Sequence, residues 1–205
     1  MQATARHEAA HAVAGLVAGA GDLYMVTIEP TNTFLGRCRW EWMFSLDFLS
    51  QQLDQGGLEA DCARAEMEQR IIISLAGPIA QHMFEGATLE RDEWTSDHQE
   101  AFELLWALGG CPLIGMDYFA RRTRALLRRK PIWGAIERLA EELLRRRTLE
   151  GRALSTFVFA DGGLHDAIQP EMARYRHRWS HFAPRPKSSS SANPSAAPVS
   201  RSVPK

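Results

Sequence analysis

The 205-residue sequence predicts a mainly α-helical domain with one small β-hairpin. Residues 4–18 are rich in alanine and form an amphipathic pattern, with Thr4 as the candidate N-cap. Residues 58–84 repeat apolar side chains at helical spacing and predict one long helix. Between these helices, residues 23–30 and 34–44 flank a turn-prone segment, and the second of them alternates apolar and polar side chains as a half-buried strand does.

Later segments predict more helices and no second folded unit. Pro78 predicts a kink or a break within the long helix. Ser96, with Gln99 three places on, predicts a capping box at the start of the next helix. Two further helices are predicted over residues 116–130 and 132–147.

The composition divides the chain into two parts. Residues 1–165 have enough apolar side chains to bury a core and are predicted to form one domain. Residues 166–205 are expected to be a basic, largely disordered tail, because Pro, Ser and Ala dominate its end and bury too little surface to offset ordering entropy. From Glu171 onward seven basic residues face one acidic residue.

Cysteine usage and hydropathy indicate a cytoplasmic protein. Cys38, Cys62 and Cys111 are odd in number and form no CxxC pair, which argues against a disulfide framework and against a cysteine-based zinc site. The two most apolar stretches, residues 9–20 and 71–84, are shorter than the roughly 20 residues that a membrane span needs. No signal peptide pattern is visible at the N-terminus.

The strongest chemical signal is an HExxH motif on the first predicted helix. His7 and His11 are four residues apart, so both imidazoles face the same way and can bind one tetrahedral zinc ion. Glu8 is adjacent and can take a proton from a water molecule on the metal, which is the chemistry of a metallopeptidase. A helix whose histidines are merely part-exposed is the competing interpretation.

A catalytic zinc site needs a third protein ligand, and spacing alone does not identify it. Asp97 is favoured by its position in the first turn of a predicted helix, although simple stabilisation of the helix N-terminus explains that position equally well. Downstream candidates of suitable chemistry include Glu66, His82, Glu85, Glu93, Asp97, His98 and Glu100.

Five segments, taken in order, resemble the peptidase domain of the FtsH family, which are membrane-anchored, ATP-driven zinc proteases. They are HEAAHAVAGLVAG (7–19), VTIEPTNTFLGRCRW (26–40), ISLAGPIAQHMFEG (73–86), TSDHQEA (95–101) and LLRRRTLEGRAL (143–154). The fourth segment is similar to the one in which the family's aspartate serves as the third zinc ligand. The resemblance therefore implies a helical zinc-peptidase fold, Zn²⁺ as cofactor and Asp97 as the third ligand.

The resemblance also implies what the protein acts on. The sequence contains no GxxxxGK[ST] motif, so ATP hydrolysis by that motif is not expected. We therefore expect a zinc-dependent endopeptidase that cleaves unfolded or flexible polypeptides, or chains that a separate AAA unfoldase delivers. The family further implies a homo-oligomer. Strand residues 36–42 are candidates to bind an extended substrate through the backbone, with an ordinary protected edge as the alternative.

Two other classes of function are alternatives to the peptidase. A non-catalytic binding or regulatory module that keeps the fold and a metal site predicts loss of the catalytic carboxylate, but Glu8 is present. Nucleic-acid binding through residues 121–130, residues 145–147 and the basic tail is not favoured. No nucleic-acid motif accompanies these arginines, and the helix dipole and solvation explain their positions.

Overall fold

A computed structural model describes residues 1–42, 44–86, 95–151, 154 and 157. Within these ranges the protein is mainly helical and has one small antiparallel sheet, which confirms the predicted class at that level. The helices are α1 (Gln2–Ala18), α2 (Leu46–Gln55), α3 (Gly57–Glu85), α4 (Ser96–Ala107), α5 (Pro112–Leu127) and α6 (Lys130–Arg146). The strands are β1 (Asp22–Thr27), β2 (Arg37–Glu41) and β3 (Thr148–Glu150).

Helix α3 is the centre of the helical layer. It packs against α1, α2, α4 and α5, while α6 packs on another side of α1. Its apolar residues Ile71, Leu75 and Ile79 are almost completely buried. Helix α1 contributes mainly alanines to the same core, and small side chains allow two helix backbones to approach closely. This close approach determines where the side chains of α1 lie relative to α3.

The sheet confirms the predicted hairpin and adds a third strand. Its order is β2-β1-β3, and both neighbours run antiparallel to β1. Among the described strands β2 therefore has one unpaired edge. Trp40 on β2 lies directly on Gly15 of α1, where an added Cβ would overlap its indole ring. Strand β2 is held over α1 by this contact.

Several predicted details are corrected by the structure. Thr4 is not the N-cap of α1, because the helix begins at Gln2 and Thr4 lies in its first turn. Helix α3 is not broken at Pro78, which is buried inside it. The capping box of α4 uses Thr95 and His98 rather than Ser96 and Gln99. Residue 95 has the extended backbone of an N-cap, whereas residue 96 is already helical.

The sequence patterns missed three features. Helix α2 was not predicted, although Ser45 caps it by accepting a hydrogen bond from the Phe48 amide at 3.2 Å. Helix α5 begins at Pro112, four residues before its predicted start, with the proline in the favoured first turn. Strand β3 was also missed, since three residues are too few to show a period. The boundary at residue 165 and the tail lie outside the described residues.

No helix in the described part of the chain is both long and apolar enough to cross a membrane. The predicted absence of a membrane span therefore agrees with the helices that are described.

Replacing Ile71 by Ala tests whether α3 carries the core. Ile71 is 0% exposed, so its truncation leaves a cavity and is expected to lower the free energy of unfolding by about 2–5 kcal/mol. Leu58→Ala on the same helix is the control, because Leu58 is 56% exposed and its truncation should cost less than about 0.5 kcal/mol. Urea denaturation with a chelator present measures both. Equal losses for the two variants would contradict this account of the core.

Candidate metal centre

Helix α1 presents the two histidines of the HExxH motif side by side. The His7 and His11 rings have their centroids 4.8 Å apart, and their Nε2 atoms are 3.1 Å apart. His11 is buried, and His7 is partly exposed on the same helix face. The spacing of four residues therefore does what the motif predicts, which is to bring two imidazole nitrogens to one point.

Asp97 comes to the same point from the first turn of α4. One of its carboxylate oxygens, Oδ2, lies 3.0 Å from His7 Nε2 and 3.6 Å from His11 Nε2. In the described part of the chain, His7, His11 and Asp97 form the one group of three side chains whose ligand atoms are close enough to hold a metal ion. The three residues predicted as ligands are thus brought together, and their role as ligands stays a prediction.

The distances fit a zinc ion. Two ligand atoms at about 2.0–2.1 Å from a tetrahedral ion lie about 3.3–3.4 Å from each other. The three edges of this site, between His7, His11 and Asp97, are 3.1, 3.0 and 3.6 Å. Two nitrogens and one carboxylate oxygen also form a donor set that zinc accepts, and three ligands leave one position open.

The other ring nitrogens orient the histidines. His11 Nδ1 is 2.7 Å from the carbonyl oxygen of Ile73, which can only accept a hydrogen bond, so Nδ1 carries the proton. His7 Nδ1 is 3.3 Å from Gln81 Oε1, which has the same effect. In the neutral rings both Nε2 atoms then have a lone pair directed at Asp97. Three electron-pair donors facing one point require a proton or a metal ion between them.

Gly77 on α3 lets the helix backbone pass directly beside the two imidazoles. A Cβ at this position would lie 2.6 Å from His7 Nε2 and closer still to His11 Nε2. Such a Cβ would overlap both rings. Any larger residue at position 77 would therefore displace the imidazoles.

Without metal, the pKa values of His11 and Asp97 depend on each other. Burial lowers the pKa of His11, but the Asp97 carboxylate and Glu8 outweigh it and raise that pKa to about 9. Burial raises the pKa of Asp97. Hydrogen bonds from His11 and His7 outweigh this effect and hold the pKa of Asp97 well below its usual range. The metal-free site thus holds a proton on His11 at neutral pH.

Glu8 lies beside the three residues and contacts the start of β2. A Cβ at Gly36 would lie 2.6 Å from Glu8 Oε1, so the glycine lets the strand backbone approach the carboxylate closely. Burial raises the pKa of Glu8 above its ordinary value, and the nearby histidines partly oppose this shift. A carboxylate with a raised pKa is a better proton acceptor near neutral pH.

The remaining ligand candidates within the described ranges lie outside this cluster. Glu66 pairs with Arg70 in the core. The side chain of His98 contacts Thr95 at the start of α4, and Glu100 contacts Ser74. The other candidates of the described ranges, His82 and Glu85, are not part of the group either. Glu93 lies outside the described residues.

An open cavity of about 870 Å³ surrounds the cluster. It is lined by residues 33–40, in β2 and the segment before it, and by residues of α3 and α4. The three clustered residues and Glu8 all line this cavity. The cluster is therefore open to solvent.

A scan of protein-family models and a search of curated proteins return no match to this chain. The resemblance to FtsH peptidases consequently depends on the short motifs in the sequence.

Sequence reasoning missed the residues that orient the ligands. Gly77, Gly36, Gln81 and the Ile73 carbonyl were not singled out, yet each contacts His7, His11 or Glu8. One signal was available, because an isolated glycine inside a helical pattern often marks a close contact. The partner in that contact depends on tertiary structure.

Gly77→Ala is expected to weaken metal binding while the helices stay folded. The added methyl group overlaps both imidazoles and displaces them, so zinc affinity should fall by at least about 10–100-fold. Zinc titration against a competing chelator measures the affinity, and circular dichroism checks the helices.

The matched control for this substitution is Gly134→Ala. Gly134 lies inside α6, where an added Cβ meets only the flexible end of Arg138 at 3.4 Å. This variant should bind zinc as the unaltered protein does. Full zinc affinity in Gly77→Ala would show that the ion is not held between His7 and His11.

Zinc affinity should also depend on pH in a particular range. Because the metal-free pKa of His11 is raised to about 9, zinc must displace a proton from His11 below that pH. Affinity should therefore rise about tenfold per pH unit between about pH 7 and pH 8.5. A histidine with an ordinary pKa near 6.5 would give almost constant affinity there. Titrations in pH-corrected chelator buffers distinguish the two outcomes.

Proposed function

We propose that this protein is a zinc-dependent metalloendopeptidase of the FtsH-like type. The observation that carries the proposal is the meeting of His7, His11 and Asp97 at one point, beside Glu8, in an open cavity. A structural zinc site would be closed by four protein ligands, whereas three ligands in an open cavity are typical of a catalytic site. Hydrolysis of a carbonyl compound is the reaction that this arrangement supports best.

Zinc held by these residues would lower the pKa of its bound water toward about 7 and polarise a substrate carbonyl. His11 and His7 supply neutral nitrogens, because each ring keeps its proton on Nδ1 through Ile73 and Gln81 respectively. Asp97 supplies one negative charge from α4.

Glu8 is assigned the role of general base and then of general acid. Its carboxylate accepts the proton of the attacking water and passes it to the leaving amine. Burial raises its pKa, which favours both directions of this transfer near neutral pH. The contact with Gly36 restricts the side chain to the region beside the three ligands. An anchored carboxylate loses little conformational freedom when the substrate arrives.

The unpaired edge of β2 is the proposed binding site for the substrate backbone. This strand pairs only with β1 among the described strands, and residues 36–40 line the cavity. An extended polypeptide can add to such an edge as a further strand, which places one of its peptide bonds near the cluster. Extended binding selects unfolded or flexible chains, because a folded chain rarely offers a free strand.

Glu8→Gln is expected to retain zinc and to lose cleavage. Removal of the general base should slow hydrolysis of an unfolded fluorescent protein by about 10²–10⁴-fold, while zinc stays near one ion per chain because Glu8 is not a ligand. Chelator treatment should also abolish cleavage. The control variant is Asp54→Asn, which changes an exposed carboxylate on α2 and should cleave normally.

The zinc content separates the proposal from its alternative. An unaltered protein that binds one zinc ion but cleaves no unfolded chain would contradict the peptidase assignment and favour a non-catalytic metal-binding module. Cleavage that survives both Glu8→Gln and the chelator would point to a contaminating protease.

A further inference from the structure

Glu100 is a second carboxylate on α4 that faces the cavity. It lies three residues after Asp97, which puts both side chains on the same face of the helix about 5–6 Å apart at Cβ. Both residues line the cavity. Unlike Asp97, Glu100 is not part of the cluster of ligand atoms.

The position of Glu100 is held by the helix that also orients the metal ligands. Its Oε2 atom is 3.0 Å from the hydroxyl of Ser74, the residue after the Ile73 whose carbonyl binds His11. The same hydroxyl is 2.9 Å from the carbonyl oxygen of Arg70. A serine hydroxyl has one proton to donate, so these two acceptors compete for it. Ser74 anchors the carboxylate, and Glu100 remains exposed to solvent.

Asp97 has partners that Glu100 lacks, because it faces the two histidines. The third carboxylate of the cavity, Glu8, packs against Gly36. In the described ranges, Ser74 is the one side chain within hydrogen-bonding distance of Glu100, and no cation lies within 4.0 Å of it.

The two arginines that line the cavity lie near aromatic rings. Arg37 is over the ring of Phe34 and Arg39 is over the ring of Tyr24, at 5.4 and 5.5 Å respectively. Both belong to β2, and neither forms an ion pair with Glu100. Glu100 on α4 therefore presents a negative charge to whatever enters the cavity.

Two aromatic residues, Trp40 and Trp42, also line the cavity, and their ring centroids are 6.0 Å apart. A lysine or arginine side chain has a long apolar stem and a cationic end, and indole rings pack well against such stems and attract such cations. A carboxylate one helical turn from the metal ligands is within reach of a side chain that flanks the cleaved bond.

We propose that Glu100 is a specificity-determining residue and that the substrate carries a lysine or arginine next to the cleaved peptide bond. This inference rests on the proposed peptidase function and narrows its substrate class. The residue acts on binding alone, since the chemistry is assigned to Glu8 and the metal ligands.

The test measures binding in a protein that cannot cleave. Zinc-loaded Glu8→Gln protein is titrated with unstructured fluorescent peptides that differ at one position, with lysine, norleucine or glutamate walked along the sequence. At one position the lysine peptide should bind about 2–5-fold more tightly than the norleucine peptide, which is the range for an ion pair with an exposed carboxylate such as that of Glu100. Norleucine keeps most of the apolar stem and removes the charge.

Variants at position 100 make the test specific. Added to Glu8→Gln, Glu100→Gln should remove the lysine preference while keeping the hydrogen bond to Ser74, and Glu100→Lys should reverse it in favour of the glutamate peptide. Glu103→Gln is the control, because Glu103 lies one turn farther along α4 and bonds to Gln99 at 2.8 Å. It should leave the preference unchanged. Circular dichroism and zinc content confirm that each variant is folded and loaded.

The outcomes separate this inference from the function on which it rests. Equal binding of the lysine and norleucine peptides at every position, in a protein whose Glu8 form cleaves unfolded chains, overturns the role of Glu100 and leaves the peptidase standing. A lysine preference that persists in Glu100→Gln also overturns it. A preference that depends on Glu100, in a protein that cleaves nothing, supports the binding role and contradicts the peptidase.

Discussion

The close approach of α3 to α1 at Gly77 is the constraint on which the candidate site depends. Helix α1 alone brings His7 and His11 together, but it does not set their ring orientations. Helix α3 does so, because its backbone passes next to the two Nε2 atoms and its Ile73 carbonyl and Gln81 side chain hold the two Nδ1 atoms. The same helix anchors α4 from the other side, so its position also governs where Asp97 lies.

The electrostatics of the cluster follow from this packing. Three electron-pair donors are held at one point in a part-buried place, and such an arrangement is costly unless a cation or a proton lies between them. In the absence of metal the proton resides on His11, whose pKa is raised to about 9 by Asp97 and Glu8. The same negative charges attract a divalent cation, which must displace this proton in order to bind.

The small sheet places a strand edge beside the cluster, where a substrate could bind. Trp40 rests on Gly15, and Gly36 rests on Glu8, so β2 is fixed over α1 at two places where a side chain on the glycine would prevent contact. The strand keeps an unpaired edge beside the cavity because β3 occupies the far side of β1. Glu100 on α4 lines the same cavity, so the cavity combines a negative charge with the backbone hydrogen-bonding groups of β2.

Local sequence patterns were sufficient to predict the features that depend only on residues nearby in the sequence. The spacing of His7 and His11, the long helix α3 and the hairpin could all be predicted, because helical and strand periods are set within a few residues. The third ligand could not be chosen by spacing, since at least seven downstream residues had suitable chemistry, and a resemblance was needed to name Asp97. Only the tertiary structure brought Asp97 to the histidines and placed Gly77 against their rings. Distances between helices depend on how side chains from distant segments pack, and no local period encodes them.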